Sequence, residues 1–78
     1  MNLFAFADIW TRVCTYALTR CVEISFRSIG SGEIIFYAEG LKTNMSKTFT
    51  VSAKTLDQLE HPAKVLEVEL MSIIDKVR

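Results

Sequence analysis

Little in this chain could staple, kink or charge it. Among its 78 residues are one proline, three glycines, two cysteines and a single histidine. Cys14, Cys21 and His61 are too few for the tetrahedral N/S set of a structural zinc, and none stands at a C-x-x-C or H-x-x-x-H spacing. No metal and no cofactor is therefore expected. Glycine scarcity removes the phosphate-cradling loops, because Gly30-Ser31-Gly32 lies between two strand-like segments and not between a strand and a helix start. Nine basic residues against nine acidic ones leave no net charge, and with it no broad electrostatic pull on nucleic acid. Long uncharged apolar runs are missing too. The first apolar stretch is interrupted by Asp8, Arg12 and Arg20, whereas a bilayer span needs about 20 nearly uncharged residues. A basic leader is absent from the first residues, so the expected compartment is the cytoplasm and the expected state of both cysteines is the free thiol.

What the chain does have is apolar surface. Half its residues are hydrophobic and its mean hydropathy is +0.26, values that exclude disorder. A chain of this length makes one domain, residues 1–78, near the lower limit for a core without staples. So small an interior leaves some apolar surface outside, which points to a protein partner or a homodimer.

The spacing predicts a helix from Leu3 to Leu18, with Asp8, Thr11, Arg12, Thr15 and Thr19 as a narrow polar stripe. The remaining arc, which includes Phe6, Trp10 and Tyr16, spans roughly 200° and exceeds what one contact surface can cover. Cover from two sides is expected, by a sheet and by a second helix or subunit. A membrane-surface helix would carry a more basic polar face.

Alternation predicts three strands: Cys21–Ser28 with Val22, Ile24 and Phe26 inward, Glu33–Glu39 with Ile34 and Phe36 inward, and Lys47–Ala53 with Phe49 and Val51 inward. Gly30-Ser31-Gly32 supplies the first turn and Leu41–Ser46 the second. From Thr55 onward, Leu59, Ala63, Leu66, Leu70, Ile73, Ile74 and Val77 form one helical stripe. Thr55 and Gln58 read as a capping box, and Pro62 requires either a short turn before it or a helix that begins there. The fold class is thus α+β in the order α-β-β-β-α, a three-stranded antiparallel meander with the helices packed on one face. Val65, Val68 and Met71 form a second apolar strip on the last helix, which the surplus arc of the first helix is expected to cover.

No constellation for catalysis emerges. His61 precedes Pro62 at a helix boundary, no G-x-S-x-G elbow occurs, and Glu67 and Glu69 point to different helix faces. An 8.8 kDa domain also leaves little room for a ligand pocket. No catalytic residue is assigned, and the chain is expected not to be an enzyme.

The element order resembles the double-stranded RNA-binding fold, and the sheet followed by a helix resembles the arm-type DNA-binding domains of phage integrases. That resemblance is one of architecture. The RNA-binding family carries a lysine cluster at the start of its last helix, where this chain has His61-Pro62-Ala63-Lys64 followed by Glu67 and Glu69. The resemblance implies a phosphate contact through Arg27, Lys42, Lys47 and Lys54, with Arg27 and Lys47 counted among the outward strand positions, and this is the alternative to the main expectation. The main expectation is a protein-binding module, similar as a class to the small phage and mobile-element proteins, anti-CRISPR inhibitors among them, that occlude a host complex. Its contact residues would come from Trp10 on the first helix, Arg27 and Tyr37 on the outer sheet, Lys42 and Lys47 in the basic stretch, and Val65, Val68 and Met71 on the last helix.

Overall fold

A computed structural model describes all residues, 1–78. The first helix, α1 (Leu3–Leu18), is started by Asn2, whose side-chain oxygen accepts from the backbone N–H of Phe4 at 2.7 Å and of Ala5 at 3.4 Å. It turns into the sheet through Cys21, which sits in the left-handed region at φ 57°. Strands β1 (Val22–Ile29), β2 (Glu33–Gly40) and β3 (Ser46–Ser52) form an antiparallel sheet in the order β1-β2-β3. The first hairpin closes through Gly32 at φ +85°, and Asn44 takes the left-handed position in the second connection. A single 3-10 turn (Leu56–Gln58) leads to the last helix, α2 (Ala63–Val77).

The register fixes two faces. Phe26, Phe36 and Phe49 lie side by side on the helix side, with Ile34 and Val51 in the next row. Ser25, Tyr37 and Thr48 form a row on the opposite face, beside Arg27, Ile35 and Thr50. Both helices pack on the first face, as the pattern predicts, and they run in the same direction, because Arg12 meets Glu67 while Tyr16 and Arg20 meet Asp75. The core joins Phe6, Ile9, Val13 and Ala17 of α1 to Leu66, Leu70, Ile73, Ile74 and Val77 of α2 over the inner sheet residues. At one end Gly40 lies directly under the last turn of α2, where an added Cβ would stand 2.0 Å from the Val77 carbonyl oxygen. The hydroxyl of Thr43 donates to that same carbonyl.

Three sequence expectations need correction. The capping box does not form. The Thr55 hydroxyl instead bonds the Asp57 carboxylate, and α2 starts only after Pro62, with no side-chain cap. Proline disfavours helical backbone at the residue before it, so the stripe from Leu59 is split into a turn and a helix. His61, at that junction, stacks edge-on against Phe49 with ring centroids 5.9 Å apart. The second correction concerns α2. Its Val65 and Val68 remain exposed and Met71 is half-buried, because α1 approaches the flank carrying Glu67 and Asp75 instead. Polar pairs line that seam: Arg12 donates to both Glu67 oxygens at 2.7 and 3.0 Å and to Asp8 at 2.7 Å. The third is Lys47, which pairs with Ala38 and so belongs to the helix-side row and not to the outer face.

Candidate interaction surface

Phe26 is inward by alternation, yet it remains 36 % exposed. The cause lies in the covering layer. α2 rests over β2 and β3 and α1 over β1, so the open edge of β1 has helix on one side and solvent on the other. Four rings close the gap incompletely. Trp10 meets Phe26 edge-on at 4.9 Å, Phe6 meets Phe26 edge-on at 5.4 Å, and Phe36 lies 5.7 Å from Phe26. Trp10 itself is half-buried. Along α1 the apolar surface continues outward through Leu3, Phe4 and Leu18, the last two 88 % and 77 % exposed.

Around the edge, Ser25, Arg27, Ile35, Tyr37 and Thr48 of the outer face, with Phe26 reaching the margin from the helix side, line a shallow dish of about 520 Å³. The dish is open and flat-floored because a sheet face has no rim. Arg27 and Tyr37, chosen from the sequence separately, are neighbours in it, and the Tyr37 hydroxyl donates to Glu39 at 3.3 Å. Glu23 and Glu39 stand directly opposite each other at the end of this face. The ion pairs of the chain use Arg12, Arg20 and Arg78 with Asp8, Glu67 and Asp75, so Glu23, Arg27 and Glu39 make none.

The other sequence candidates are not brought to this place. Val65 and Val68 lie on α2 away from the β1 edge. Lys42 lies in the connection under the C-terminal end of α2, while Lys54 is at the far end of the sheet, where its carbonyl accepts from Ser28 at 3.0 Å. The lysines of the basic stretch are thus spread along the molecule. Tyr16, part of the surplus arc, is engaged within the chain: its hydroxyl bonds Asp75 at 2.9 Å and Arg20 covers its ring at 3.4 Å.

Phe26, Leu3, Phe4 and Leu18 belong to the exposed apolar surface, and half-buried Ile35 lines the dish, but none is among the contact residues that the sequence suggests. The available signal was the count of elements, since two helices about 8–10 Å apart are wider than three strands about 4.8 Å apart, so the flank of one helix overhangs an edge without a strand beneath it. Cys14 is half-buried on α1, and burial pushes its thiol pKa up, which suits a packing residue better than a nucleophile. No three His, Cys, Asp or Glu side chains converge as metal ligands would. No helix is long and apolar enough to cross a membrane. No known protein family, curated protein or solved structure matches the chain.

Proposed function

We propose that this chain is a non-enzymatic protein-binding module that works by covering a surface of a larger host complex, as small phage and mobile-element inhibitors do. On this reading it acts in the cytoplasm, and its contact surface is the β1 edge with the adjoining outer face of the sheet. The observation that carries the reading is the combination of half-covered rings, Trp10 and Phe26, with an unpaired Arg27 at an open strand. Tryptophan and arginine are the residues that most often dominate binding energy, and they do so when a partner excludes water around them. In the free chain Phe26 is left partly wet.

The test is affinity capture from host extract with the wild type, Arg27→Glu and Tyr37→Ala, each checked by circular dichroism for an unchanged fold. The expected result is one stoichiometric protein partner, lost in both variants. Light scattering with short RNA and DNA duplexes at low and high salt runs beside it. A salt-sensitive gain in mass with duplex, and no captured protein, would replace this reading by phosphate binding through Lys42, Lys47 and Lys54.

A further inference from the structure

We infer that the free edge of β1 is a strand-addition site, taking an extended segment of another protein antiparallel to β1 beneath the outer flank of α1. This rests on the protein-binding reading above and names the partner's chemistry.

β1 is hydrogen-bonded on one side only, to β2, and its register runs unbroken from Val22 to Ile29. Along its other side lies a row of backbone N–H and C=O groups without a strand partner. β1 contains no proline and no bulge, so its backbone can accept a further strand, and its only charges, Glu23 and Arg27, stand on the outer face where a partner can pair them. The space beside it is roofed. Strands lie about 4.8 Å apart and packed helices about 8–10 Å apart. With α2 seated over β2 and β3, α1 falls over β1 and its outer flank overhangs the place of a fourth strand. Toward that side α1 presents Leu3, Ala7, Trp10, Cys14 and Leu18, spaced as one helix face. Trp10 and Cys14 are half-buried and the other three exposed.

That roof also selects the occupant. A second copy of this chain would bring its own α1 over its own β1. Two helices overhanging strands about 4.8 Å apart would compete for one volume, since each pair needs about 8–10 Å. The site therefore suits a strand with no helix above it. On the outer face Glu23 and Arg27 lie four residues apart and make no ion pair within the chain. An antiparallel partner meets them with an acid opposite Arg27 and a base opposite Glu23. Between these, its inward side chains face Phe26 and Ile24 and must be apolar. Read from its N-terminus, the segment is acid, apolar, any residue, apolar, base.

The experiment uses the full chain and a synthetic ten-residue peptide with Asp-Val-Thr-Val-Lys at its centre. Trp10, the sole tryptophan, reports binding by fluorescence, and amide hydrogen exchange reports its place. Saturable binding with new protection confined to residues 22–29 is expected. Arg27→Glu should weaken it at least tenfold, and a peptide with Lys in place of Asp should restore affinity for that variant. A peptide N-methylated on its β1-facing amides should not bind. Absence of binding, protection at β3 instead of β1, failure of the charge-swapped peptide to rescue, or a chain that dimerises through β1 would each overturn the inference. Competition separates it from the wider reading. A captured protein partner that saturating peptide does not displace would overturn strand addition and leave the protein-binding module standing. Peptide bound at β1 with no partner captured would keep the strand-addition site and remove that module reading.

Discussion

The two halves of the sheet are closed in different ways. Over β2 and β3, aliphatic side chains of α2 meet Ile34, Val51 and Ala38, and Leu66, Leu70, Ile74 and Val77 lose all contact with solvent. Over β1, closure falls to rings, and Phe26 keeps a third of its surface in water. Flexible, branched side chains fill a gap of almost any outline, whereas flat rings meet edge to face and leave corners open. The α2 half holds the fold together, and the α1 half has surface left to offer a partner.

Paired truncations should make that contrast measurable. Leu70→Ala in the closed half is expected to cost roughly 3–5 kcal/mol, as for a fully buried leucine. Phe26→Ala, despite the larger side chain removed, should cost only about 1–2 kcal/mol, because part of the ring is already solvated. Urea unfolding of both variants decides it, and equal losses would mean that the β1 half is as closed as the other. Next in size is Gly40→Ala. Its new Cβ would collide with the Val77 carbonyl, so the last turn of α2 must lift, at about 1–3 kcal/mol, read as a lower melting temperature. An unchanged melting temperature would show that this end of α2 is not held down.

The smallest effect is set by pH and concerns the seam between the helices. Hydrogen bonds from Arg12 hold the Glu67 carboxyl below the usual glutamate range. A carboxylate with a lowered folded pKa adds stability above its unfolded value of about 4.3, and that contribution is lost as pH falls through the folded one. The advantage of the wild type over Glu67→Gln should therefore be present at neutral pH and shrink in acid. Denaturation midpoints of both proteins across the acid range test this. A gap that persists at low pH would assign the role of Glu67 to packing.

Much of the architecture was legible because it depends on local periodicity. The ends of α1 at Leu3 and Leu18, the inward rows of the sheet and the glycine turn follow from neighbours in sequence. The capping box failed because two local signals conflicted, and the steric demand of Pro62 outweighs a side-chain bond. The exposure of Phe26 and of the Val65–Val68 strip was not legible, since alternation tells which way a side chain points and not whether anything lies there. Arg27 and Tyr37 could be named individually. That they share one dish depends on the register of β1 against β2, where Tyr37 faces Ser25 and Ile35 faces Arg27.

The order in which these contacts can form follows from their distance along the chain. Each strand pairs with its successor across a short turn, so the meander can assemble on the microsecond scale of hairpins. The bonds between Arg12 and Glu67, and between Tyr16 and Asp75, join residues 55 and 59 positions apart. Such distant contacts carry the largest loop-closure entropy. The seam between α1 and α2 is then expected to form late in folding, so that Glu67→Gln should speed unfolding in stopped-flow urea jumps and leave the folding rate nearly untouched.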